Sequence, residues 1–304
     1  MCIRDRCNLA CIHCNPFVSS GWKKDGNKLN KEKPDYWEES QTGYHGADWH
    51  NLLDNLFIEP LFFRNLQWVA LRGGEPLYDE TCIKVLEWFV EQGLAENISL
   101  DISTNATVFR DEFLDLFAKF KHVELLVSVE ATDELYSIVR GGKDCDWSEL
   151  KENVEKFYDV KNLEMVFAVT VMITNVFDLP NVWRWFSEEH EYRASIAMSN
   201  VVVNPGHLNI AMMPPELKQL ALEKLADIPN SAVWPEGNYH VDEHDYQTGI
   251  EDIRNGLSRE VDPEEQQRNW KWFLHYTKDL DRLRGTDTLG QIPEIKQWIE
   301  DNEK

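Results

Sequence analysis

Cys7-Asn8-Leu9-Ala10-Cys11-Ile12-His13-Cys14 puts three thiols at i, i+4 and i+7, with no fourth cysteine close behind. A closed structural zinc site wants four ligands, usually from two separated pairs. Iron–sulfur clusters are also held by closely spaced thiolates on a short loop. Three thiolates on a four-iron cluster leave one iron without a protein ligand, and that iron can take substrate or cofactor. Two plainer readings stand beside this one: three unrelated thiols, or a zinc knuckle completed by His13.

Outward from that stretch the chain first turns polar. Residues 15–46 read as turn-rich, with Lys23, Lys24, Lys28, Lys31 and Lys33 forming a basic run. That run reads as a solvated loop after the cysteines, or as a surface for an acidic substrate or an electron donor. Trp49, Leu52, Leu53 and Leu56 then fall at helical spacing and predict a helix over 48–57. Beyond it the pattern alternates regularly, with strands expected over 66–71, 98–102, 123–129, 163–173 and 195–203. Helical patterns fill the gaps at 80–92, 111–120, 147–158 (capped by Asp146 or Ser148) and 178–190. Alternation of this kind means βαβ units and a parallel sheet, closed as a barrel or left as an open crescent. Past residue 205 the pattern is mostly helical, over 215–226, 247–257, 263–283 and 293–302, with an irregular joint at 229–245.

Composition narrows the class. The 304 residues are 42% hydrophobic, enough for a substantial core, and no apolar run approaches a membrane span. The six cysteines are not spaced as a disulfide framework, which points to a reducing, cytoplasmic setting and to metal. A net charge of −23 repels nucleic-acid backbones and acidic membranes, so neither is an expected partner. Met1 to Asp5 back-translates to ATG TGT ATA AGA GAC, similar to a transposon end used in sequencing libraries. Residues 1–6 are therefore expected to be a non-native leader standing where a first strand was lost.

The C-x3-C-x2-C spacing, with Gly73-Gly74-Glu75-Pro76 after the first strand, resembles the radical S-adenosylmethionine (SAM) superfamily. The resemblance covers about Cys7 to Pro205 and implies an α/β fold: a partial (β/α)6 TIM-like barrel, its first strand missing, with a mostly helical C-terminal extension. Its expected boundaries are 7–205 for the barrel and 206–304 for the extension. It further implies a 4Fe-4S cluster on Cys7, Cys11 and Cys14, whose open iron chelates SAM and whose electron yields methionine and a 5′-deoxyadenosyl radical.

The segment after each strand then acquires an implied role, because barrel sites lie at the strands' C-terminal ends. Gly73 and Gly74 let the backbone approach a ligand, and Glu75 would accept from the amino group of SAM. Ser103-Thr104-Asn105-Ala106-Thr107 is similar to the family's Thr-Asn-Gly-Thr, which makes Ser103 and Asn105 lining residues, with Ala106 in the glycine's place. Ser128-Val129-Glu130-Ala131 stands for Ser-Leu-Asp-Gly, and Ser128 would reach the ribose or the methionyl end. Ile138-Val139-Arg140-Gly141-Gly142 resembles the family's Ile-Arg-Gly-Gly loop, in which Arg140 would clamp the SAM carboxylate; the plainer reading is a surface arginine in a glycine-rich loop. His13 takes the place of an aromatic residue near adenine, and Asn175 is a further candidate for adenosine.

Motif order is similar to the peptide- and protein-modifying members with SPASM or twitch extensions, but no cysteine occurs after Cys145 to hold an auxiliary cluster. A peptide or protein substrate and a flavodoxin- or ferredoxin-like electron donor are the implied partners. Radical chemistry on a small molecule or nucleotide precursor is the alternative within enzymology. A non-catalytic iron–sulfur protein is the alternative outside it. His240 and His244 could bind zinc if helical, although Pro235 and Gly237 suggest a loop; Cys82 reads as packing, and Cys145 as a spectator thiol or a hydrogen donor near the radical.

Overall fold

The computed structural model describes residues 7–16, 19–40, 63–141, 145–190, 193–230 and 243–302. The leader, the helix expected over 48–57 and His240 lie outside them. After the cysteine loop come α1 (Lys23–Glu32) and the single turn α2 (Trp37–Ser40). The alternating part is β1 (Trp68–Leu71), α3 (Glu80–Glu91), β2 (Ser99–Thr104), α4 (Glu112–Phe117) and β3 (His122–Ser128). It continues through α5 (Asp133–Arg140), α6 (Trp147–Phe157), β4 (Leu163–Val171), α7 (Leu179–Glu189) and β5 (Ser195–Val201). Four helices complete the described chain: α8 (Pro215–Lys224), α9 (Glu243–Ser258), α10 (Pro263–Arg284) and α11 (Pro293–Asn302).

All strand pairs are parallel, and strand order equals sequence order, β1-β2-β3-β4-β5. One-directional winding with helical crossovers is the geometry of a partial barrel wall, as expected from the alternation. Leu100, Ile102, Val123, Leu125, Val127, Met165, Phe167 and Val169 form one fully buried face of the sheet. The opposite face carries polar groups at the same alternation: Asp101, Glu124 and Glu164 lie side by side across β2, β3 and β4. Arg72 forms an ion pair with Asp101 from the end of β1. Burial, and then Asp101 and Glu164, push the Glu124 carboxyl up to about 7, with Arg72 pulling the other way.

Local chemistry sets the helix ends. Asp79 caps α3 by accepting from Thr81 N at 2.8 Å. Asp146, and not Ser148, caps α6, accepting from Ser148 N at 2.6 Å. Two helices depart from the sequence reading. The lysine run is not a loop but α1, whose inner face is Asp25, Gly26 and Leu29. Arg140 is not in a glycine-rich loop but is the last residue of α5, ended by Gly141 at φ 132.

The C-terminal helices are joined to the barrel wall. A Cβ on Gly249 of α9 would lie 3.0 Å from the backbone of Met198 and Ser199, so the helix rests directly on β5. α10 reaches back to the start of the chain: Tyr36 donates to Asp279 at 2.7 Å and Arg284 pairs with Asp25 at 2.9 Å. Among the described residues no helix is long and apolar enough to cross a membrane.

Candidate active site around the cysteine loop

The cysteine loop is held from every side by hydrogen bonds to its own carbonyls. Gly21 N and Ser20 Oγ donate to Cys7 O at 3.1 and 2.9 Å, and Trp22 Nε1 donates to Cys11 O at 2.8 Å. Ser19 donates to Leu9 O, and Tyr276 of α10 donates to Ile12 O. Ile12 N donates to Val139 O at 2.9 Å, which ties the loop to α5. Gly141 approaches closely as well, and a Cβ there would come within 2.6 Å of Ala10 N. A loop so fixed presents its thiols inward: Cys7 and Cys11 are buried and Cys14 is half-buried.

The three thiols share one environment. Burial, and then Cys11, push the Cys7 thiol up to about 11. Contact between Cys11 and Cys14 moves the two thiols in opposite directions. Cys14 is raised as the donor of their hydrogen bond, and Cys11 is lowered as its acceptor, helped by Arg140 and His13. With its proton in place, Cys11 Sγ can instead donate to Arg140 O at 3.4 Å. Donor atoms of Cys11, His13 and Cys14 lie within 4.8 Å of one another, while Cys7 falls outside that tight set.

Gly-Gly-Glu-Pro and the turn after β2 meet the loop here. Gly73 and Gly74 take φ of 84 and 59, a region that favours glycine, and so turn Glu75 inward. Glu75 Oε1 accepts from Thr104 Oγ1 at 2.6 Å and from Leu77 N at 3.1 Å, and Oε2 accepts from Asn105 N at 2.6 Å. Burial raises the carboxyl and these three bonds oppose the rise. Asn105 carries the tie onward, its Nδ2 donating to Asn8 Oδ1 at 3.0 Å and lying 3.8 Å from Cys7 Sγ. Ala106 adopts φ 52, so the backbone keeps a glycine's conformation without the glycine.

Other expected residues are placed less simply. Arg140 is buried and pairs with Glu130 at 2.9 Å. Burial opposes its charge, but Cys11 and Glu130 more than compensate and hold its pKa up. Among the described residues its Nε has no hydrogen-bond partner, and neither has His13 Nδ1. Ser103 Oγ accepts from Arg72 at 3.0 Å on the polar face of β2, and Ser128 is half-buried at the end of β3. Asn175 is a backbone tie instead of a free amide: it donates to Glu130 O and Thr170 O at 2.6 and 2.9 Å, and accepts from Met172 N at 2.8 Å. Both of its amide hydrogens are therefore committed to backbone carbonyls. Glu130, Thr104, Asn8 and Tyr276 belong to the site and were not singled out by sequence. Glu130, Thr104 and Asn8 each lie within a quoted motif, whereas Tyr276 carried no local signal.

Residues 1–179 of the 304 match the radical SAM superfamily. The chain belongs to that superfamily. Members carry a 4Fe-4S cluster and SAM, and the donor set here suits both: three thiols on one loop, with buried Arg140 Nε and His13 Nδ1 beside them, neither having a partner among the described residues. Solved structures of radical SAM enzymes resemble it distantly. Streptococcus suis SuiB bound to S-adenosylmethionine shares 15% identity at a TM-score of 0.44, over 80% of this chain and 53% of that one. anSMEcpe with bound AdoMet shares 18% at 0.45, over 66% and 50%. SuiB bound to its precursor peptide SuiA shares 14% at 0.42, over 80% and 52%. The chain thus spans about half the length of these structures. No curated protein matches it.

Proposed function

We propose that this chain is a radical SAM enzyme that abstracts hydrogen from a peptide or protein. The observation that carries the proposal is the junction at Asn105, which touches Cys7 and Asn8 with its side chain and Glu75 with its backbone N–H. A bare metal site has no need of a buried carboxylate and a glycine turn tied to its ligand loop. In this reading Cys7, Cys11 and Cys14 hold the 4Fe-4S cluster. When bound, the cluster supplies the electron that breaks the S–C5′ bond of SAM.

The rest falls to the chain's own side chains. Gly73 and Gly74 offer backbone to SAM. Glu75 Oε2, which accepts one bond in the structure, has a second lone pair for the SAM amino group. Arg140 Nε is a charged donor for its carboxylate, and Ser103, Asn105 and Ser128 line the cofactor's path. His13 Nδ1 faces either the adenine or the cluster. A peptide substrate is inferred from motif order and the Ile-Val-Arg-Gly-Gly segment, with a small molecule or nucleotide precursor as the lesser reading. The reductant would be flavodoxin- or ferredoxin-like and the setting cytoplasmic.

A second reading rests on the tight grouping of Cys11, His13 and Cys14, which would suit a tetrahedral zinc ion. Metal analysis and calorimetry separate the two. Anaerobically reconstituted chain is expected to carry about four irons and to bind SAM, with both properties lost in a folded Cys11→Ala variant. One zinc per chain and no SAM binding would establish the second reading.

A further inference from the structure

We propose that the exposed face of α1 is the docking surface for an acidic one-electron carrier protein that reduces the cluster. The proposal rests on the radical SAM reading above and adds the place where the electron enters. Lys23, Lys24, Lys28, Lys31 and Lys33 are all exposed. Lys24, Lys28 and Lys31 recur at helical spacing and share one side of α1, with Lys23 beside them. The helix's own acids do not neutralise them. Asp25 faces inward to Arg284 at 2.9 Å, and Glu32 is held by Arg282 at 2.6 Å, both arginines coming from α10. None of the five lysines forms an ion pair among the described residues.

Position gives the charge its meaning. Trp22, the residue before Lys23, is fully buried and donates to Cys11 O at 2.8 Å. The basic face therefore begins one residue from a hydrogen bond to the cysteine loop. Beside Lys24 a depression of about 320 Å³ opens onto the loop itself, lined by Asn8, Leu9, Ala10, Gly21 and Cys145 among others. A carrier seated over Lys24 would bring its redox group to the outer side of that loop, where Trp22 bonds the Cys11 carbonyl. One electron leaves the carrier and one enters the cluster, and no atom is transferred.

The chain's overall charge selects the partner. At −23 the molecule repels acidic proteins everywhere except where cations are concentrated. A carrier with an acidic face would be steered to α1 and kept from the rest of the surface. Such steering raises association rates and weakens as salt screens it over about 10 Å at 0.1 M.

The test changes Lys23, Lys24, Lys28 and Lys31 together to Gln in the full chain, with circular dichroism to confirm the fold. Binding of a flavodoxin to cluster-free chain is read by calorimetry, so this arm needs no turnover. Reduction of the reconstituted cluster by the same flavodoxin, and by dithionite, is read by stopped-flow absorbance. The expected result is loss of measurable flavodoxin binding, at least a tenfold slower flavodoxin-driven reduction at 50 mM salt, and dithionite reduction equal to wild type. Wild type at 500 mM salt should fall towards the variant. Equal binding and equal flavodoxin-driven reduction in variant and wild type would overturn the proposal. So would unchanged reduction alongside lost binding of a poly-glutamate peptide, which would assign the face to an acidic substrate. Failure of dithionite to generate 5′-deoxyadenosine in wild type would strike the radical reading alone, because the calorimetric arm still reports on docking.

Discussion

Ala106 occupies the left-handed region at φ 52 with no exposed surface, at the turn that delivers Asn105 to the cysteine loop. An L-residue there costs about 1–2 kcal/mol in backbone strain, which glycine would relieve while losing a buried methyl worth about 0.8 kcal/mol. The two nearly cancel, which explains how alanine persists in a glycine's position. A branched side chain has no such balance. Ala106→Val is expected to destabilise by about 2–4 kcal/mol in denaturant titration, and Ala106→Gly to change stability by less than about 1 kcal/mol. Glu75 gives a sharper contrast. Both its oxygens accept bonds, so Glu75→Gln would turn an NH2 group towards either Asn105 N–H or the Thr104 and Leu77 donors. The isosteric variant should then lose about 1–3 kcal/mol, approaching the cost of Glu75→Ala. A Gln variant as stable as wild type would show that these contacts do not hold the turn.

Between elements, Gly141 at the end of α5 lies tightly against Ala10 of the cysteine loop. Gly141→Ala is expected to displace the loop and lower iron loading after reconstitution, while circular dichroism stays unchanged; full loading would contradict this contact. Across the sheet, the Asp101, Glu124 and Glu164 row makes stability depend on pH. Glu124 is raised from its ordinary 4.5 to about 7, so the folded chain holds a proton there that the unfolded chain has released. Its stabilising contribution is present below pH 4.5 and is lost as pH rises through 7. Glu124→Gln should therefore gain about 2 kcal/mol over wild type between pH 5 and pH 8; a difference constant with pH would refute it. The strands and outer helices were legible in the sequence because their buried faces are apolar at periods of 2 and 3.6. α1 was not, since its inward face is Asp25, Gly26 and Leu29, and the partner that makes Asp25 tolerable, Arg284, stands far along the chain. The Arg140–Glu130 pair was hidden likewise: a glycine-rich segment reads as a loop, and nothing local says that a strand-end carboxylate will claim its guanidinium.

At the scale of the molecule, the chain brings together a barrel wall, a ligand loop in front of it and a helical extension that clasps the loop through Tyr276 and α10. Glu75 and the cysteine loop meet at Asn105, and that meeting could be anticipated only through resemblance. Spacing within the cysteine stretch suggests its ligands, but not what the loop will touch. The central claim is that this assembly cleaves SAM reductively. The measurement is chromatographic detection of 5′-deoxyadenosine from folded, reconstituted chain with dithionite and SAM under strict anaerobiosis, beside a Cys11→Ala control. Slow accumulation of 5′-deoxyadenosine and methionine in equal amounts, absent from the control, is expected. Cluster-loaded chain that binds SAM yet forms no more 5′-deoxyadenosine than Cys11→Ala would contradict it.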